Sequence, residues 1–149
     1  MHFSEILAFS DNLAKAYEAM CQPLCRKLQI SQTAFDILMF LANNPEYHTA
    51  RDIVEIRKMK ANLVSFHVEK LVREGLLERR PLSDDRRKVM LLCTPKAQII
   101  TDQGKEMQQE FIEKILAGIS EEALRISSGA ISQIGSNAAE IIKKRSIQQ

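Results

Sequence analysis

Apolar residues recur at helical spacing over most of this chain and give way to two short runs near its middle. Phe3, Ile6, Leu13, Tyr17, Met20 and Leu24 fall close to three, four or seven apart, which predicts a long amphipathic helix over residues 3–28. Pro23 sits late in it and removes an intrahelical donor, so a kink or break is expected there. Ser31 is placed to cap a second helix with Phe35, Leu38, Met39 and Leu41 on its apolar stripe, ended by Asn43-Asn44-Pro45. Thr49-Ala50-Arg51-Asp52 has the form of a capping box with Asp in the place of Glu. It starts a short helix expected to turn Ile53, Val54 and Ile56 inward.

Arg57-Lys58-Met59-Lys60 is the turn into the next helix, from Ala61 to Glu74. Its inward stripe is Leu63 or Val64, then His67 or Val68, then Leu71, and Gly75 is the expected left-handed C-cap. Helix, tight turn, helix is a helix-turn-helix unit. The turn has no glycine, so a left-handed Lys58 costs on the order of 1 kcal/mol. Strands follow at about residues 76–80 and 89–93, joined by Pro81-Leu82-Ser83-Asp84-Asp85-Arg86-Arg87. Thr94-Pro95 then starts a helix to about Ala117, with Ile99, Ile100, Met107, Phe111, Ile115 and Leu116 apolar. Gly118-Ile119-Ser120 breaks it, and Ser120-Glu121-Glu122 caps a last helix with Leu124, Ile131, Ile134, Ala138, Ile141 and Ile142 on one side. Lys143-Lys144-Arg145 suits that helix's negative end.

The fold class is therefore mainly α with a small β-hairpin. At 149 residues the chain reads as a single domain, long enough to bury a core. Its apolar runs fall short of the ~20 residues a membrane span needs, and no basic stretch precedes an apolar core at the start. Three cysteines make no disulfide framework, and the expected location is cytoplasmic. The net charge of +2 says little, but its distribution says more. Residues 49–96 hold 12 Lys/Arg against 7 Asp/Glu, a net +5, which leaves −3 for the rest. A basic middle between acidic flanks suits a face presented to phosphates.

The groove-facing residues follow from the helix period. Lys60, Ala61, Asn62, Ser65, Phe66, Lys70 and Arg73 are left on or near the outer face of the second helix of the unit. Asn can read adenine bidentately, Ser can reach bases or phosphates, and Lys can reach guanine or phosphate. Ala61 or Phe66 could touch a thymine methyl, although packing against a neighbouring helix is the simpler reading of Phe66. At the hairpin tip a carboxylate can hold a guanidinium in a fixed direction, so acidic residues beside arginines fit a DNA contact.

Glu74-Gly75-Leu76-Leu77-Glu78-Arg79-Arg80, then Asp84-Asp85-Arg86-Arg87, then Cys93-Thr94-Pro95-Lys96-Ala97 resembles the winged-helix core of MarR-type transcriptional regulators. The resemblance extends more weakly from about Leu28 to Gly104. It implies a winged helix-turn-helix lobe over about 31–94, with dimerisation helices at about 1–28 and 95–149. It also implies that Arg87 enters the minor groove with Asp85 as its orienter, while Arg86 and Lys88 meet phosphates. A small aromatic or phenolic effector is implied as well, in a crevice that Phe9, Tyr17, Phe35 and Met39 could line, a core role being equally open to each.

One recognition helix reads only a few base pairs, and two related by a twofold axis read half-sites about one turn, ~34 Å, apart. The apolar sides of the terminal helices, together with the resemblance, predict a homodimer through the first and the last two helices. No enzyme is expected: the chain has no glycine-rich phosphate loop, no G-x-S-x-G and no H-E-x-x-H. His2, His48 and His67 do not fall at metal-ligand spacing, so neither metal nor cofactor is expected. The reading is a DNA-binding transcriptional regulator, expected to act as a ligand-responsive repressor on a pseudo-palindromic duplex. Its alternatives are an oxidant sensor working through Cys21 or Cys25, and a winged-helix module that binds protein rather than DNA. The i, i+4 spacing of Cys21 and Cys25 puts their Cβ atoms ~5–6 Å apart, beyond disulfide reach, and small packing residues are the simpler reading of all three cysteines.

Overall fold

A computed structural model describes residues 2–82 and 85–147, with the side chains of residues 85–87 and of Ile147 outside the description. Among the described residues the chain forms six α-helices and one antiparallel hairpin. The order is α1 (Phe3–Leu28), α2 (Gln32–Asn43), α3 (Ala50–Ile56), α4 (Ala61–Arg73), β1 (Leu77–Leu82), β2 (Asp85–Cys93), a short 3-10 turn (Pro95–Ala97), α5 (Gln98–Ile115) and α6 (Glu121–Ile147). Two compact units emerge, residues 1–112 and residues 113–149.

Local chemistry sets the element ends. Ser31 accepts from the Ala34 N–H at the start of α2. Thr49 and Asp52 form the reciprocal capping box of α3. Gly75, at φ 75°, ends α4 in the left-handed region that a Cβ disfavours. α1 is continuous through Pro23, so the expected break does not occur. Thr94 starts the next segment differently from the expected cap, its hydroxyl donating to the Gly75 carbonyl at 2.6 Å. That bond, the Thr94 N–H to Leu76 carbonyl bond and the Lys96 ammonium on the Glu74 carbonyl fasten the end of the hairpin to the end of α4.

The core of the first unit is centred on α2. Phe35, Ile37, Leu38 and Met39 are essentially inaccessible, and Cys21, Ile53, Val64, Leu71 and Leu77 close over them. Burial of such side chains supplies on the order of 1.5–3 kcal/mol each. The alternatives on α4 resolve to Val64, Val68 and Leu71, leaving Leu63 exposed. Ile56, expected inward, is 48% exposed because α3 ends as the chain turns away from the core. Ile99 is exposed too, its neighbour Ile100 taking the buried place on α5. Gly104 is what lets α5 lie close to α2: an added Cβ would collide with Met39 Sδ and stand 3.0 Å from Phe35 Cε2.

In the second unit α6 starts where Ser120 Oγ accepts from the Ala123 N–H. Ile126, Ile131, Ile134, Ile141 and Ile142 are all exposed along it.

Candidate nucleic-acid interface

The interface is built on the turn between α3 and α4. Lys58 sits there at φ 61°, the left-handed conformation that the missing glycine would have eased. The start of α3 is held by Asp52, which accepts from the Thr49 hydroxyl at 2.7 Å and from the Thr49 and His48 N–H groups. Burial alone would raise the Asp52 carboxyl. The three donors outweigh it and hold the group below the usual carboxylate range. The His48 backbone carbonyl in turn accepts the Leu91 N–H at 2.7 Å, which joins β2 to the entry of α3.

α4 turns Val64, Val68 and Leu71 into the core and leaves Ala61, Asn62, Ser65, Phe66, Lys70 and Arg73 exposed, with Lys60 exposed at its N-cap. All seven residues predicted from the sequence are thus exposed, six along α4 and Lys60 at its N-cap. Phe66 does not pack against a neighbouring helix, the reading favoured by its type. It is 65% exposed, its ring edge-on to His67 with centroids 5.1 Å apart. His67 is half-buried, with Nδ1 buried and without a hydrogen-bond partner. Desolvation, and then the Lys70 charge, keep that imidazole below its ordinary pKa.

The hairpin stands beside this helix. Arg79 of β1 donates from Nη2 to Glu69 Oε2 of α4 at 2.8 Å, and the guanidinium lowers that carboxyl. The pair is exposed and contributes little to stability, but it ties the ribbon to the helix. Pairing runs from Leu77 with Cys93 to Pro81 with Val89, then jumps to Leu82 with Asp85. Arg86, Arg87 and Lys88 are thus inserted between two consecutive pairs. Pro81, which has no N–H to give the ladder, sits at that irregularity. β2 is longer than the five residues expected from the apolar run, because its backbone continues through the basic segment. The side-chain roles expected of Asp85, Arg86 and Arg87 lie outside the described residues; Lys88 is exposed.

Of the four residues expected to line a crevice, Phe35 and Met39 share the core cluster against which Tyr17 packs, and Phe9 lies apart from it. Phe9 is 63% exposed on α1, whereas Phe35 and Met39 are sealed in the core. Tyr17 alone borders a cavity, about 500 Å³, with Leu13, Gln32, Asp36 and Arg57. Here the structure adds a network. The Tyr17 hydroxyl donates to Asp36 Oδ1 at 3.2 Å and accepts from Gln108 Nε2 at 3.0 Å. Arg57 Nη2 reaches Asp36 Oδ2 at 3.5 Å from the residue just before the strained Lys58. Burial raises the Asp36 carboxyl above its ordinary range, against the opposing pull of Arg57 and Tyr17. A lone carboxylate within the apolar run of α2 was the one sequence signal for this network.

Cys21 and Cys25 are buried and Cys93 is half-buried. Desolvation pushes the Cys21 thiol up to about 11 and raises the other two. Thiolate is the reactive form, so all three should resist a maleimide at neutral pH in the folded protein and react only on unfolding. Rapid labelling of native Cys21 or Cys25 would restore the oxidant-sensor reading. Among the described residues no group of His, Cys, Asp and Glu could hold a metal ion, and no helix is long and apolar enough to cross a membrane.

Comparison with known proteins agrees with this architecture. Residues 28–88 match the sequence model of the MarR family. No curated protein matches the chain. The fold is similar to a MarR family transcriptional regulator from Listeria monocytogenes complexed with a 26mer DNA, at TM-score 0.81 and 18% identity over 90% of this chain and 89% of that one. It is similar to a MarR protein from Peptoclostridium difficile, at TM-score 0.78 and 17% identity over 93% and 90% of the two chains. The S. aureus MepR–DNA complex is a third, at TM-score 0.72 and 16% identity over 92% and 96%.

Proposed function

We propose that this chain, whose residues 28–88 carry the winged helix of the MarR family, is a sequence-specific regulator of transcription that binds duplex DNA as a homodimer. The observation that carries the reading is the exposed outer side of α4, with Lys60, Asn62, Ser65, Lys70 and Arg73 on it, beside a hairpin whose tip carries Arg86, Arg87 and Lys88. α4 lies in the major groove, and the hairpin follows the backbone towards the adjacent minor groove. Arg87 enters the minor groove, where narrow stretches concentrate negative potential, and Asp85 directs it. Two of the similar structures contain DNA, which supports the same use of the fold here.

Dimerisation is supported by exposed apolar residues. Phe3, Ile6, Leu7, Phe9 and Leu13 crowd the first half of α1, and five isoleucines are exposed along α6. Apolar surface of this extent on a regulator that reads a pseudo-palindromic site is suited to a second copy. The regulator acts as a repressor whose DNA-bound state an aromatic or phenolic effector disfavours. The Tyr17–Asp36–Arg57 cavity is the candidate place, since Arg57 leads directly into the turn before α4. Such an effector works only by preferring one arrangement of the helices over another.

Duplex binding measured against salt tests the reading. Affinity should fall steeply with salt as condensed counterions are released. Arg87→Ala should weaken binding about tenfold, roughly 1.4 kcal/mol, with an unchanged melting temperature. Unchanged affinity in that variant removes the minor-groove role, and salt-insensitive binding removes the DNA reading altogether.

A further inference from the structure

We infer that Phe66 is the specificity-determining residue of α4, reading the C5-methyl of thymine in half-sites where Asn62 reads adenine. This deepens the proposed function and rests on it. The first two turns of α4, residues 61–68, contain no Lys, Arg, Asp or Glu. The residues that a recognition helix presents to base edges come from that N-terminal part. Guanine is read by Arg or Lys at O6 and N7, and cytosine by a carboxylate at N4. Neither partner is available there. What the exposed positions do offer is one amide at Asn62, one hydroxyl at Ser65, one methyl at Ala61, one isobutyl group at Leu63 and, the most exposed of the apolar ones, a phenyl ring at Phe66. The amide matches the N6 and N7 edge of adenine, and the methyl and the ring match the methyl of thymine.

The cations lie outside this patch. Lys60 is at the N-cap, and Lys70 and Arg73 are in the last turn. They are placed for phosphates on either side of an uncharged centre. Glu69, the acidic residue nearest the patch, is engaged by Arg79 at 2.8 Å. Phe66 lies one turn beyond Asn62 and one turn before Lys70, so the three form a single row. Its ring is 65% exposed and lies edge-on to His67. An apolar ring aimed outward between an amide and an ammonium has a natural occupant in a groove lined by thymine methyls. Such a site would be rich in A·T pairs on the face that α4 reads.

The test uses a duplex selected by the full-length protein from a random pool, then resynthesised with uracil in place of thymine, one position at a time. That exchange deletes the methyl and leaves the hydrogen-bonding edge intact. The wild-type protein should lose about three- to tenfold in affinity at one position in each half-site. Phe66→Ala should bind the thymine duplex that much more weakly and no longer distinguish it from the uracil duplex. Phe66→Leu, which keeps an apolar contact, should retain part of the discrimination. Since the ring is exposed, the melting temperatures of all three proteins should agree. Equal wild-type affinity for every uracil duplex overturns the inference, as does a thymine preference that survives in Phe66→Ala. In both cases salt-dependent DNA binding would stand. If no duplex is retained from the pool, the DNA-binding reading itself falls together with the inference.

Discussion

Replacing Phe35 by Ala should cost about 3–5 kcal/mol of folding stability, the usual loss when a fully buried aromatic ring is deleted. Phe35 has no accessible surface, sits among Ile37, Leu38 and Met39 of α2, and fills the space that Gly104 leaves open on α5. Collapse into that space is restricted, because Met39 already crowds the Gly104 site. Against a total stability of ~5–15 kcal/mol the loss is a fifth or more. For a chain of this length it corresponds to a melting temperature lower by roughly 6–20 °C. Thermal or urea denaturation measures it. A loss below about 1 kcal/mol would mean that Phe35 borders an open crevice, as one sequence-based reading allowed, and that the core is centred elsewhere.

The second large effect is on alkaline stability. The Cys21 thiol, normally near 9, is pushed to about 11 in the folded protein, chiefly by desolvation and with Asp36 adding to it. Burial raises the Tyr17 hydroxyl in the same direction. A raised folded-state pKa means that the group's contribution is fully present below the unfolded pKa and is lost as pH rises through the folded value. At pH 7 the contribution of a protonated Cys21 is therefore intact. Between about pH 9 and 11 the unfolded chain gains by ionising a thiol that the fold keeps protonated. At ~1.4 kcal/mol per pKa unit the loss approaches roughly 3 kcal/mol. Denaturation midpoints for the parent and Cys21→Ala across that range isolate it, because lysines titrate alike in both. The parent should fall more steeply, and parallel curves would show that Cys21 is not shielded from water.

Much of the fold was legible because it is written locally. Ser31, the Thr49–Asp52 box and Gly75 fix helix ends through groups within a few residues of one another. The six helices and the hairpin followed from period and punctuation. What escaped depends on contacts between distant residues. Whether Leu63 or Val64 points inward shifts the helix face by about 100° and is decided by α2 and β1, not by α4 alone. Ile56 and Ile99 are apolar but exposed, since each has a neighbour better placed for the core. Pro23 is accommodated within a continuous α1.

The α4 surface residues were named from the period, and their exposure follows that period; the roles assigned to them belong to the proposed function. The Tyr17–Asp36–Arg57–Gln108 network was missed, because its members lie 19, 21 and 91 residues apart in sequence. Only a carboxylate between Phe35 and Ile37 hinted at it. The type of Phe66 favours packing and its helical position favours the outer face; the structure follows the position and leaves the ring 65% exposed.

The length of the ribbon bears on the proposed docking as well. From Leu77 to Leu82 its ladder advances five steps, close to 17 Å at ~3.4 Å per residue. That is half the ~34 Å repeat of a B-form duplex. If α4 lies in the major groove as proposed, a finger of this length, its base fastened to the end of α4, would reach about as far as the next groove along the same face. Shortening it by one residue on each strand would withdraw the basic tip by ~3.4 Å, and lengthening it would carry the tip past the sugar–phosphate ridge.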